Sequence, residues 1–208
     1  MRMVERSFAD LEYESKKHKT RRELFLQKME DLIVWHKLLE AIKPYYPQSA
    51  KGRVPYPLES MLRVHCVQLF YNLSDPATED MLYEVESVRR FTGIRHNKVP
   101  DESTILNFRH LLEPHGLGKV LFETIKEHLA EQGWKLREGT ILDASIIAAP
   151  SSTKNRSGER DPEMKQTKKG KQWHFGMKLH IGVDEQTGLV HSLVSTAANV
   201  HDLRPSDQ

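Results

Sequence analysis

The hydrophobic pattern of this chain changes period once, and that change divides it into two kinds of structure. Up to about residue 135 apolar residues recur every three or four positions, whereas from Gly139 onward they alternate. Phe25, Met29, Leu32, Ile33, His36, Leu39 and Ile42 draw one stripe, stopped by Pro44 and Pro47, which predicts a single long helix. Pro57 at a first helical position, followed by Leu58, Met61, Leu62, His65, Leu69 and Leu73, predicts the next. Ser74-Asp75-Pro76 ahead of Glu79 and Asp80 reads as a cap, a first-turn proline and negative charge at the positive end of a helix, and two further short helices are expected. Asp101 as an N-cap, with Ile105, Phe108, Arg109 and Leu112 behind it, predicts a helix reaching Gly116. A last one is expected from about Leu117 to Gln132, with Leu121, Ile125 and Leu129 stepping by four and Gly133 as its stop.

In the second part, Ile141, Asp143, Ser145 and Ile147 alternate with Leu142, Ala144, Ile146 and Ala148, the pattern of a strand. The polar, lysine-rich stretch that follows, to about Gln172, reads as a loop. Phe175, Met177, Leu179, Ile181 and Val183 then alternate with Gly176, Lys178, His180, Gly182 and Asp184. Glu185-Gln186-Thr187-Gly188 is a turn into a third strand, Leu189 to Ala197, which makes an antiparallel hairpin. The fold class is therefore α+β: a tail over 1–20, an all-α unit over 21–135 and an antiparallel three-stranded sheet within 136–208. Three strands with no helix after them leave apolar positions such as Phe175, Met177, Leu179 and Ile181 open. Either the helical unit covers that face or the sequence is truncated.

Composition narrows the class. The chain has 208 residues, 38% apolar and 29% charged, with 31 Lys and Arg against 29 Asp and Glu. That suits one full domain or two small ones and excludes a disordered or collagen-like chain. The most apolar stretch, Leu58 to Leu73, is interrupted by Glu59, Arg63 and His65, and no apolar leader precedes it, so a soluble cytoplasmic protein without a membrane partner is expected. The one cysteine, Cys66, has no intrachain partner and reads as a small buried hydrophobe. The absence of a Gly-rich phosphate loop, a nucleophile elbow and a His-Glu-x-x-His helix argues against nucleoside triphosphatases, dinucleotide enzymes, common serine hydrolases and zincins.

Asp143 is the residue most in need of a reason, because a carboxylate is disfavoured in mid-strand. It is either a metal ligand presented from a sheet or an acid turned to solvent, and the residue alone leaves both open. Between Lys154 and Lys178 lie eight basic residues (Lys154, Arg156, Arg160, Lys165, Lys168, Lys169, Lys171 and Lys178) against three acids (Glu159, Asp161 and Glu163). Such a run either meets a polyanion or is a solvated loop. Trp173 and His174 beside it can stack on a base. Lys178 and His180 share a strand face from which they can reach a phosphate or simply stand half-exposed. The histidines His174, His180, His191 and His201 lack the paired spacing of a zinc site.

The run Leu142-Asp143-Ala144-Ser145-Ile146-Ile147-Ala148-Ala149-Pro150-Ser151-Ser152-Thr153-Lys154-Asn155, with Gly158-Glu159-Arg160-Asp161-Pro162-Glu163-Met164, closely resembles bacterial insertion-sequence transposases of the DDE class, and within them the family of insertion sequence five. The likeness continues through Trp173-His174-Phe175-Gly176-Met177-Lys178 and Thr196-Ala197-Ala198-Asn199-Val200-His201-Asp202. Upstream it includes Pro100-Asp101-Glu102-Ser103-Thr104 and Phe108-Arg109-His110.

The resemblance implies that the helical part helps bind terminal inverted repeats, with Arg109 among its DNA contacts. It implies that the second part opens a ribonuclease-H-like catalytic domain whose first acidic residue is Asp143, a ligand for Mg2+ or Mn2+. The implied chemistry is metal-assisted hydrolysis at the transposon end, then attack of the freed 3′-hydroxyl on target DNA, in which two ions roughly 4 Å apart need several carboxylates. Implied partners are double-stranded DNA and a second copy or a full-length transposase, in the cytoplasm of a bacterium and on its nucleoid. The family's second aspartate, in an Asp-x-Gly-Tyr type motif, and its glutamate do not occur before Gln208, and Asp184 and Asp202 match other positions. The expectation is a truncated, catalytically incomplete transposase, with a non-catalytic fragment occupying transposon ends as the alternative.

Overall fold

A computed structural model describes residues 13, 15–47, 54–95, 98–134, 140–150 and 158–201. Its elements are α1 (Arg21–Leu32), α2 (Trp35–Ile42), α3 (Leu58–Tyr71), α4 (Asp75–Glu84), α5 (Glu86–Thr92), α6 (Glu102–Leu112) and α7 (Leu117–Glu131). Four strands follow: β1 (Thr140–Ala148), β2 (Lys165–Lys169), β3 (Gln172–Asp184) and β4 (Val190–Ala197). The α+β class is as expected. The chain divides into two compact units, 1–125 and 126–208, so the division falls inside α7, ten residues before the boundary expected from sequence. None of the described helices is long and apolar enough to cross a membrane.

Local chemistry starts the helices, at Ser74 and Asp101 as expected and at Thr20 where no cap was read, while α6 stops at Leu112, short of the expected Gly116. Thr20 and Glu23 form a reciprocal capping box at α1, with Glu23 N–H donating to Thr20 Oγ1 at 3.2 Å and Thr20 N–H to Glu23 Oε2 at 2.6 Å. Ser74 caps α4 ahead of Pro76, and Asp101 caps α6 by accepting from Thr104 N–H at 2.7 Å. One expectation fails. The long helix over residues 25–42 is two helices, because Ile33 is extended (φ −83°, ψ 129°) and Val34 leaves the helical region as well. Two adjacent β-branched residues break the turn at little cost. The apolar spacing survives the break, since Leu26 before it and Leu38 and Ile42 after it are all buried.

Helix α3 is the centre of the first unit. Its Val64 and Val67 join Leu26, Leu82, Val88 and Ile105 in one apolar cluster, while its Met61 and Leu62 join Leu38, Ile42, Phe108 and Leu112 in a second. A helix buried on both sides has little room for a polar face, yet α3 carries Arg63, 9% exposed. The guanidinium is satisfied from three helices: Nη1 and Nη2 both donate to the Glu30 carboxylate (Nη2 to Oε1 at 2.8 Å), Nε donates to Glu59 Oε1 at 3.0 Å, and Nη1 reaches Phe91 O at 3.2 Å. The Trp35 ring covers it at 4.1 Å. Leu69, expected in the stripe, is instead exposed, and Cys66 is packed in, with burial pushing its thiol up to about 12.

Removing this hub should be expensive. Arg63→Ala is expected to cost about 3 kcal/mol or more in urea unfolding, from lost ring contacts and lost charge-assisted bonds; a loss below about 1 kcal/mol would show the pairs to be ornamental. Acid should act through the carboxylates. Glu23 is held down to about 2 by Lys16, Tyr13 and the Thr20 backbone, and the Arg63 guanidinium holds Glu30 below its ordinary value. A carboxylate depressed in the fold stabilises it above the unfolded pKa, near ~4.3 for Glu, and that contribution is lost as pH falls through the folded value. The melting temperature should therefore drop between about pH 4.5 and 2, and Glu23→Gln should make the drop shallower.

Candidate functional site

Strand β3 positions everything in the second unit that bears on chemistry, because β1, β2 and β4 all pair with it antiparallel. Directly opposed residues of an antiparallel pair lie on the same face, and successive residues lie on opposite ones. The register sets Asp143 opposite Ile181, Ser145 opposite Leu179 and Ile147 opposite Met177, with Leu193 and Ser195 of β4 across from Ile181 and Leu179. Asp143 therefore stands on the apolar face of the sheet. It is exposed, and its Oδ1 accepts only the N–H of the adjacent Ala144, at 2.9 Å. That face is open: Ile147 is 52% and Leu193 50% exposed.

Lys178 and His180 lie on the other face, opposite Ile146 and Ala144. Both are engaged. Lys178 Nζ donates to Val200 O at 2.8 Å, and His180, 7% exposed, contacts Thr196 Oγ1 through Nε2 at 2.8 Å. Because the Thr196 hydroxyl donates to Ala197 O, we assign Nε2–H as the donor, which makes Nδ1 a buried acceptor with no partner among the described residues.

The lysine-rich stretch expected to be a loop contains a strand. β2 pairs with the start of β3, Lys165 opposite Gly176 through Lys169 opposite Gln172, around a two-residue turn in which Gly170 has φ +62°. The alternation of apolar and polar residues that signals a strand is missing because β2 is polar on both faces; the one available signal was the Gly170-Lys171 turn. The ribbon sorts its cations. Lys168 and Arg160 stand on the face of Trp173 and Phe175, with Lys168 Nζ 5.8 Å from the Trp173 centroid and the Arg160 guanidinium 5.4 Å from that of Phe175. Lys165 and Lys169 project from the opposite face, and Lys171 sits in the turn. Lys165, Lys168, Lys169 and Lys171 are all exposed. Lys154 and Arg156 lie outside the described residues.

In the helical unit, Arg109 forms a two-pronged pair with Asp75, Nε to Oδ1 at 3.1 Å and Nη2 to Oδ2 at 2.8 Å, which holds the Asp75 carboxyl below its ordinary value. This bond ties α6 to α4. A groove of about 710 Å³ in the same unit is lined by Lys16, Lys19, Arg63 and Arg90; Lys16, Arg63 and Arg90 are paired with Glu23, Glu30 and Glu86, and Lys19 donates to Gln27 Oε1 at 2.9 Å. Asp184 closes the β3–β4 turn, accepting from Gln186 N–H at 3.2 Å and from the Thr187 N–H and hydroxyl at 2.6 Å each, bonds that lower its pKa. Its role is local. Among the described residues no three His, Cys, Asp or Glu are arranged to hold a metal ion.

Two family patterns match the chain. Residues 12–111 match a Transposase domain (DUF772), and residues 134–207 match a Transposase DDE domain, so that together they account for most of the sequence, with 112–133 between them and the second beginning near its change of period. No solved structure matches the chain.

The register that puts Asp143 where it is depends on a close approach at Gly176. There φ is +151°, and a Cβ would run into the Ile147 carbonyl of β1. Gly176→Ala is expected to push β1 off β3 and cost about 2 kcal/mol or more, read as faster amide exchange across Asp143 to Ala148; unchanged protection there would mean that another contact sets the register.

Proposed function

The chain belongs to the DDE-class insertion-sequence transposases, and from that premise we propose that it is of the insertion-sequence-five type, binds the ends of an insertion element through its β2–β3 ribbon and contributes Asp143 as one carboxylate of a phosphodiester-cleaving centre. The observation that carries this reading is the placement of Asp143: an exposed acid in mid-strand, with no cation on it among the described residues and only a neighbouring amide to satisfy it. The DDE family acts with divalent metal ions. The described residues do not make such a centre by themselves, since no three His, Cys, Asp or Glu among them are arranged to hold a metal ion.

DNA binding falls to the exposed cations. Lys165, Lys168, Lys169 and Lys171 are the proposed phosphate contacts, joined by Arg160 and by Lys154 and Arg156 of the same basic stretch. Lysines supply affinity without reading bases. Lys178, His180 and Arg109, bonded as they are to Val200, Thr196 and Asp75, act by holding the sheet and the helices in shape. The lone carboxylate also favours the second reading, a chain that occupies transposon ends, alone or beside a second copy, without cutting them.

Both readings require DNA binding that falls steeply with salt. The affinity of the 208-residue chain for inverted-repeat duplex, followed by fluorescence anisotropy, should give a log–log salt slope near −6 from about seven phosphate contacts, and Lys168→Gln should reduce its magnitude by about 1. Salt-independent or undetectable binding would sink both. With Mg2+ and end-containing DNA this chain is expected to leave the strands intact; efficient cleavage would show that Asp143 does not act alone.

A further inference from the structure

The ribbon holds one residue that phosphate binding does not require. Trp173 is 65% exposed, the largest side chain of the sheet left to solvent, and it sits opposite Lys168 on a ribbon that has four lysines and no acidic residue from 165 to 173. A cation beside the ring, 5.8 Å from its centroid, leaves the remaining aromatic surface open. Phosphates need only the lysines. An open indole flanked by cations fits a ligand that is flat, aromatic and bordered by negative charge, which is a nucleobase between two phosphates.

The base has to be unpaired. In a duplex the faces of the bases are covered by their neighbours, about 3.4 Å apart along a strand, and a ribbon lying in the major groove meets base edges only. The next aromatic on the same face of β3 is Phe175, two residues on, which along a strand is about 7 Å away. That spacing is twice the stacking distance and suits an extended single strand. Phe175 carries the Arg160 guanidinium 5.4 Å from its centroid, so the cation–aromatic pairing repeats along the ribbon.

We propose that the β2–β3 ribbon is a subsite for unpaired nucleotides, with the Trp173 indole stacked on an extruded or single-stranded base and Lys168 and Lys171 on the phosphates either side. It rests on the reading of the chain as a DNA binder and adds the state of the DNA that the ribbon selects. A single-stranded extension at an end, or a base flipped from the duplex beside it, supplies such a nucleotide.

The test uses the full 208-residue chain and two labelled DNAs, a blunt duplex and the same duplex with a single-stranded extension containing 2-aminopurine. The extended DNA is expected to bind about tenfold or more tightly than the blunt one, with the 2-aminopurine fluorescence quenched on binding. Trp173→Ala should abolish the extra affinity and the quench while leaving blunt-duplex affinity within about twofold, and Trp173→Phe should restore most of both. Lys168→Gln should weaken both DNAs. If Trp173→Ala keeps the preference for the extension, or weakens both DNAs equally, the subsite is overturned and the ribbon is a duplex binder. If the unaltered chain binds neither DNA, the underlying DNA-binding reading fails, a result distinct from the other two.

Discussion

Every strand of the sheet is hydrogen-bonded to β3, and that constraint decides what each neighbouring residue can do. A strand of thirteen residues offers two faces and two edges. Once β1 and β4 are registered on it, Asp143 must share a face with Ile181, Leu179 and Met177, while Lys178 and His180 must take the other. A slip of one residue would exchange the two sets. The register is pinned at both ends of the shared segment: Gly176 admits the β1 backbone where no side chain fits, and Asp184 ties the turn into β4 through three bonds to one carboxylate oxygen. Residues that never touch a ligand therefore place the one that is a candidate to do so.

The helical unit solves a different problem with similar economy. Helix α3 is enclosed by two apolar clusters, and a guanidinium in that position would be costly if any of its donors went unpaired. Glu30 and Glu59 are themselves roughly half exposed, so the pair keeps contact with water through its acidic side while the guanidinium is sealed beneath Trp35 and Phe91. Arg109 with Asp75, and Arg90 with Glu86, repeat the pattern at lower burial. Five cations of this unit, Lys16, Arg63, Arg89, Arg90 and Arg109, are paired with its own acids, whereas the exposed lysines of the ribbon have no acid within 165–173. On the proposed reading the ribbon lysines are the set that meets an external anion.

What could be read from the sequence follows the same physics. The caps at Ser74 and Asp101 and the stop at Gly133 are local, so those helix ends were readable to within a residue or two, whereas α6 ends at Leu112, short of the expected Gly116, and the Thr20 cap of α1 went unread. The break at Ile33 and Val34 was not, because an apolar stripe records which residues are buried and says nothing of whether one helix or two carry them there. β2 was hidden for the opposite reason: solvated on both faces, it has no alternation to show. Asp143 stood out by its position in a strand, but its separation from Lys178 and His180 depends on register, a property of two segments at once. Nearness in sequence suggested one basic site around the acid; pairing across β3 sends Lys178 and His180 to the other face and leaves Lys168 on the face of Asp143, farther along the strand.

On the proposed reading, in which the chain holds a polyanion and presents a carboxylate to it, that arrangement is physically sensible. Lysine–phosphate attraction acts over roughly a Debye length of 8 Å and tolerates flexible side chains, so it can be delivered by a short polar ribbon with both faces in water. A carboxylate that meets a phosphodiester needs a fixed position, which a loop does not provide and a strand paired along its whole length does. Placed directly among the lysines, Asp143 would be neutralised by the nearest ammonium, as Asp75 is by Arg109. On the apolar face, across the sheet from Leu193 and with no described cation bonded to it, the acid keeps its lone pairs available. On the proposed reading, long-range attraction and fixed chemistry are served by different strands of one sheet, joined through β3.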